Sequence, residues 1–193
     1  MNIFIDTKGV NMNTNELEKL LKKIKCDDYF LEATLQFKLL MKLAEIRKED
    51  NIFPERNIEY YKLESKKYTK KEVDIVLENE NNTNVAIELK MPMNGQTPEQ
   101  MYKFVEDIKF LEELKKSNVF SSCFLITVTN DKNFWQGREK KGIYSYFRDN
   151  RELSGKITKP TGKIKTSHFL LQGKYNVTWK NLNDDFKYFI IEI

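Results

Sequence analysis

The sequence predicts an α/β domain in which a mixed β-sheet is flanked by helices, and three observations carry that prediction. Residues 72–77 and 85–90 alternate apolar and polar side chains on either side of an Asn-rich turn, the pattern of a hairpin with one buried face. Thr97-Pro98-Glu99-Gln100 then opens a helix, with Thr97 as cap, Pro98 at the first helical position and Gln100 placed for a reciprocal cap. Residues 119–128 follow as an apolar run without clean alternation, which reads as a strand buried on both faces. Strand, helix and strand in this order form a crossover attached to the hairpin, giving a small mixed sheet with helices on both sides.

The remaining elements follow in chain order. Asn15-Glu16 leads into Leu17, Leu20, Leu21 and Ile24, spaced for one face of a first helix. Asp27 caps a second helix that runs to about Arg47, with Phe30, Ala33, Phe37, Met41 and Ala44 near one side. The helical pattern stops around Pro54, and residues 58–63 predict the first strand. Pro92 and Gly95 interrupt regular structure before the capped helix. Its Met101, Phe104, Val105, Ile108 and Leu111 form a wide stripe for one sheet face, and the helix ends before Asn118. Beyond Thr129, Asn130-Asp131-Lys132-Asn133 makes a polar turn before Phe134-Trp135. Ser154-Gly155, Pro160-Thr161-Gly162 and Gln172-Gly173 separate short strand-like pieces, and residues 186–193 predict a last strand. Residues 1–193 read as a single domain, and the pieces within 130–185 either complete it or form a substrate-recognition elaboration.

Composition bounds the class. A chain of 193 residues suits one domain and can bury a real core, and 32% charged with 40% hydrophobic residues indicates neither general disorder nor a membrane class. The net charge of +4 permits a nucleic-acid partner without establishing one. Basic clusters stand at Lys66-Lys67, Lys70-Lys71, Lys115-Lys116 and Arg138 with Lys140-Lys141, and each reads equally as solvated surface. Cys26 and Cys123 make no zinc-ligand pattern, and Cys123, followed by Phe124-Leu125-Ile126, is expected to be a buried free thiol. The amino terminus lacks the basic and apolar regions of a secretory signal, and no segment reaches membrane-spanning length. The expectation is a soluble cytoplasmic protein with no membrane partner.

Chemistry concentrates in the hairpin. Alternation sends Glu88 and Lys90 to one face and Val85, Ile87 and Leu89 to the other. Val73, Ile75 and Leu77 form the apolar set of the first segment, which places Asp74 on the opposite face with Val76. Two carboxylates beside an ammonium, with no histidine or cysteine nearby, suit Mg2+-dependent cleavage of a phosphodiester, because a hard cation takes oxygen ligands. A surface salt-bridge cluster between adjacent strands is the competing account.

The arrangement Asp74-x13-Glu88-x-Lys90 resembles the core motif of the PD-(D/E)XK nuclease superfamily, which includes restriction endonucleases. The likeness spans about residues 27 to 130, and Glu72-Val73 precedes Asp74 where the family pattern has a proline. It implies a restriction-endonuclease-like fold and a Mg2+-dependent endodeoxyribonuclease of the type II restriction kind, with Mn2+ able to substitute. Double-stranded DNA is the implied substrate, and a homodimer would direct one site at each strand. Asp74, Glu88 and the carbonyl of Leu89 are the expected metal ligands, and Lys90 is expected to position the attacking water or stabilise charge on the phosphate. Superfamily members often add an acid from a preceding helix. Glu32 occupies that place, with Glu59, Glu64 and Glu72 as rivals and an ordinary helix-surface charge as the alternative. Gln96 or Gln100 stands where some members carry a supporting glutamine; Gln96 is preferred, because Gln100 also completes the cap. Tyr102, beside Phe104 and Val105, needs no catalytic explanation.

Lys66, Lys67, Lys70 and Lys71 lie just before the hairpin and are expected to neutralise the DNA backbone. Asn130, Lys132, Asn133, Gln136 and Arg138 suit directional contacts to base edges. Phe134 and Trp135 either stack on bases or pack internally, and His168, the only histidine, has no partner arrangement for histidine-centred chemistry. Other functional classes stay open: a catalytically silent nucleic-acid-binding or protein-interaction module on the same fold, a DNA-repair or RNA-processing nuclease, or an RNA-directed toxin.

Overall fold

The computed structural model describes residues 12–25, 31–79, 84–93, 95–161 and 167–193. Helices α1 (Thr14–Leu21) and α2 (Glu32–Ile46) precede strand β1 (Asn51–Asn57). Strands β2 (Glu72–Glu78) and β3 (Asn84–Lys90) form the expected hairpin, helix α3 (Thr97–Lys116) crosses over, and β4 (Phe120–Thr129) returns. A short helix α4 (Tyr144–Arg148) leads to β5 (Leu153–Thr158) and β6 (His168–Tyr175), and the chain closes with β7 (Lys180–Asn181) and β8 (Lys187–Glu192). Six strands pair in the order β1-β2-β3-β4-β8-β7, while β5 and β6 pair only with each other. The β3–β4 pair is parallel and the other pairs are antiparallel, so the main sheet is mixed. Among the described residues no helix is long and apolar enough to cross a membrane.

Both sheet faces are covered, which is why β3 and β4 are apolar almost throughout. On one face Ala86, Cys123, Leu125 and Phe189 pack against Met101, Phe104, Val105, Ile108 and Leu111 of α3. On the other, Ile75, Ile87, Leu89, Phe124 and Ile126 meet Leu17, Leu20, Leu21 and Ile24 of the first helical region and Leu35, Leu39 and Leu43 of α2. Cys123 is a buried free thiol, as expected; Cys26, and with it the expected cap at Asp27, lies outside the described residues.

Several boundaries differ from the sequence reading, each for a physical reason. The first strand is Asn51–Asn57, not residues 58–63, because β1 is an edge strand and an edge tolerates Pro54. Asn57 then accepts a hydrogen bond from the Glu59 amide and turns Ile58–Tyr61 into a 3-10 helix with Ile58 buried. On α2 the buried line is Leu35, Leu39 and Leu43, whereas Phe37 and Met41 are 59% and 47% exposed. That helix is apolar nearly all round, so periodicity alone did not decide which stripe faces the sheet. Helix α3 starts one residue earlier than expected. Gln96, in the left-handed region at φ 49°, is its cap and makes no side-chain capping bond, so Thr97 is not the cap. Val73 packs with Val76 and Ile58 on the α3 side, not with Ile75 and Leu77.

Topology gathers the chemistry. Parallel β3 and β4 end at the same edge of the sheet, and antiparallel β2 begins there. The Thr129 hydroxyl donates to the Pro92 carbonyl at 2.8 Å, tying the two strand exits together. The Met91 amide donates to Glu32 Oε2 at 2.8 Å, which brings the start of α2 to the same place.

Candidate active site

Ladder pairing between β2 and β3 runs from Leu77 opposite Val85 to Ile75 opposite Ile87 and then stops. Past that point the side chains take over from the backbone. Asp74 Oδ2 accepts from the Leu89 amide at 2.7 Å, and Glu88 Oε1 lies 3.4 Å from the Asp74 amide, so each carboxylate holds the other strand. The Asp74 carbonyl accepts from Gln36 of α2 at 2.8 Å, which fixes the strand from the helix side. Asp74, Glu88 and Lys90 are thus positioned by backbone geometry as well as by their own packing.

Two residues outside the motif complete the charge network. Asp107, in the middle of α3, is only 2% exposed; its Oδ1 lies 3.0 Å from Lys70 Nζ and its Oδ2 3.3 Å from Lys90 Nζ. Lys70 also contacts the fully buried Glu88 carboxylate. Lys90 donates to the Leu89 carbonyl at 2.8 Å and has Glu32 Oε1 at 3.9 Å. A cleft of about 560 Å3 opens over the network, lined by Glu32, Lys70, Lys90, Pro92, Gln100, Lys103, Glu106 and Asp107 among others.

Burial pushes Glu88 well above the ordinary carboxylate value, and the neighbouring charges of Asp107 and Asp74 add to it. Asp74 is also raised by burial, against the opposing pull of Lys90 and the Leu89 amide. For Lys90, burial pulls down but Asp107, Glu32 and Asp74 outweigh it, and the net direction is up. Lys70 behaves likewise: burial pulls down, Glu88 and Asp107 prevail. Both lysines are therefore held as ammonium ions, which suits charge stabilisation better than proton abstraction.

The donor set fits a hard divalent cation. Asp74, Glu88 and the Leu89 carbonyl offer oxygen ligands only. Glu88, Asp107 and Glu32 pair with the Lys70 and Lys90 ammonium groups and Asp74 adds a fourth acid; with all four ionised the excess is two negative charges, which one divalent ion would neutralise. Asp107 Oδ2, buried, makes no hydrogen bond. Among the described residues no three acidic, histidine or cysteine side chains converge on one cation position, so a cation here would be held by two carboxylates and a backbone carbonyl.

The other expected residues sort by position. Glu32 lines the cleft, while Glu59 accepts from Ser65, Glu64 pairs with Lys67 and Glu72 lies exposed on β2. Gln100 lines the cleft and Gln96 does not: Gln96 is exposed at the cap of α3. Lys66, Lys67 and Lys71 are exposed, but Lys70 turns inward to Glu88 and Asp107 and so does not belong with a backbone-binding patch. Asn130, Lys132, Asn133, Gln136 and Arg138 are all exposed on the segment that leaves β4 at the cleft edge. Phe134 is fully buried against Phe104 at 5.7 Å between ring centroids, and Trp135 packs on Trp179 at the same separation; Phe134 is therefore core. Sequence reasoning missed Asp107 and the inward role of Lys70. The usable signal for Asp107 was its place on the apolar stripe, three residues after Phe104 and four before Leu111. Compared with protein-family models, curated proteins and solved structures, the chain matches none of them.

Proposed function

We propose that this chain is a Mg2+-dependent endodeoxyribonuclease of the PD-(D/E)XK kind on a restriction-endonuclease-like fold, cutting double-stranded DNA as a homodimeric type II restriction enzyme. The observation that carries the reading is the meeting of Asp74, Glu88, Lys90 and Glu32 at one sheet edge beneath an open cleft. Asp74, Glu88 and the Leu89 carbonyl would hold Mg2+, or Mn2+ in its place. When bound, the ion supplies charge neutralisation at the phosphate and a more acidic water. Lys90, kept protonated by Asp107 and Glu32, stabilises negative charge developing on a phosphate oxygen. Gln100 presents an amide to the same cleft. Lys66, Lys67 and Lys71 neutralise the approaching backbone, and Asn130, Lys132, Asn133, Gln136 and Arg138 supply directional groups for base edges.

The test is cleavage of supercoiled plasmid in Mg2+ by the wild type and by Asp74→Asn, Glu88→Gln and Lys90→Ala. Each variant is expected to lose at least about 100-fold in turnover, the scale of removing one electrostatic contact to a transition state. Full activity in any one of them would sink the assignment. Binding without hydrolysis in Mg2+ or Mn2+ would favour the silent binding module, and cleavage confined to RNA or to branched DNA would favour a processing nuclease. Light scattering with and without DNA tests the homodimer separately from the chemistry.

A further inference from the structure

We propose that Lys70 is a tethered counter-cation of this centre, resting on Glu88 until a divalent ion displaces it onto Asp107. The inference rests on the metal-dependent reading above and adds to it a residue outside the Asp-Glu-x-Lys pattern. Glu88 is completely buried, and Asp107 is nearly so; a buried carboxylate needs an opposite charge or it protonates. Lys70 serves both, contacting Glu88 and lying 3.0 Å from Asp107. It is delivered from the loop just before β2, not from the sheet, and its side chain is 26% exposed, the most accessible group on Glu88. Its ammonium also lies 5.6 Å from the centroid of the Phe110 ring, which guides the stem along α3.

A dication between Asp74 and Glu88 would face the Lys70 ammonium on a shared carboxylate, and like charges at contact distance repel strongly in a buried site. Lys90 competes less for that carboxylate, since its ion pairs run to Asp107 at 3.3 Å and Glu32 at 3.9 Å and not to Glu88. Lys70 has a place to go: Asp107 already touches it and retains it after Glu88 is given up. The same lysine then supports the fold without metal, weakens metal binding by competition, and stays beside the cleft where phosphate arrives.

The experiment is titration calorimetry with Mn2+ in mildly alkaline buffer, where protons compete least for the carboxylates, on the wild type, Lys70→Gln, Lys70→Arg and a control, Lys174→Gln, whose exposed side chain on β6 pairs with Glu152 just before β5. Lys70→Gln is expected to bind Mn2+ about tenfold more tightly, the factor set by one ion-pair contact no longer given up. Lys70→Arg, which keeps the charge, and Lys174→Gln are expected to show no gain. Equal or weaker binding by Lys70→Gln, or an equal gain in Lys70→Arg, overturns the proposal while leaving the metal centre intact. Absence of binding in both wild type and Lys70→Gln overturns the metal reading and this proposal together. If Lys70→Gln does not unfold cooperatively on its own, recovery of a cooperative transition on adding Mn2+ supports the competition, and failure to recover refutes it.

Discussion

Replacing Glu112 with alanine should release the β5–β6 hairpin from α3. Glu112 is buried, and its Oε1 accepts from the amides of Gly173 at 2.7 Å and Gln172 at 2.8 Å and from the Tyr175 hydroxyl at 3.0 Å. Its Oε2 receives a second contact from the Gln172 amide at 3.0 Å. Alanine leaves two amides and a phenol without their acceptor. Hydrogen bonds to a charged group contribute about 1.5–3 kcal/mol each, and water entering from the adjoining open surface recovers part of that, so a loss of about 3–5 kcal/mol is expected. For a domain of this size that is a fall of roughly 10 °C in the melting temperature. Glu112→Gln keeps one acceptor oxygen and should lose about half as much. Thermal unfolding followed by circular dichroism reads the global effect. Hydrogen exchange should show the amides of Gln172 and Gly173 losing protection while those of β3 and β4 keep theirs. An alanine variant within about 1 kcal/mol of the wild type, with protection at Gln172 and Gly173 unchanged, would refute the anchor.

The remaining predictions concern the site and the α2 face. Glu88 has its value raised above the ordinary 4.5, so the folded state takes up its proton more readily than the unfolded chain. Its stabilising contribution is full below that ordinary value and is lost as pH rises through the folded one. In chelator at neutral pH, Glu88→Gln should therefore melt at a higher temperature than the wild type, with Lys70 kept in place by Asp107, and the gap should close as pH falls toward 4.5. A gap that widens on acidification would contradict this sign. On α2, Leu39→Ala should cost about 2–5 kcal/mol in denaturant unfolding and Phe37→Ala no more than about 0.5, since only the first faces the sheet. The reverse order would mean that the packed stripe is misassigned.

The hairpin, the crossover helix and the β4 strand were legible because their signals are local: alternation in residues 85–90, Thr-Pro at a helix start, an unbroken apolar run. The motif side chains came with the hairpin, since alternation alone places Glu88 and Lys90 on one face. What could not be read depends on contacts across the sheet. Pro54 looked like a break because nothing in the chain says that β1 is an edge strand. Phe37 and Leu39 are equally apolar, and only the sheet on one side separates them. Lys70 looked like one more basic residue in a surface run until α3 set Asp107 opposite it. Asp107 and Glu112 did leave a trace, each a carboxylate among buried positions of a helix, which is where a buried acid with a partner belongs.

The Leu89 amide has an unusual partner for a residue in the middle of a sheet. Its proton is held by the Asp74 carboxylate and not by a carbonyl of β2. Its nuclear magnetic resonance signal is consequently a built-in reporter on the charge of Asp74: the chemical shift follows the electron density of the accepting oxygen, and that density changes when the carboxylate takes a proton or a cation. The flanking Ile87, paired by the ladder with Ile75, provides an internal reference only two residues away. One amide cross-peak measured against its neighbour would follow events at the carboxylate without nucleic acid, without turnover and without altering a single residue.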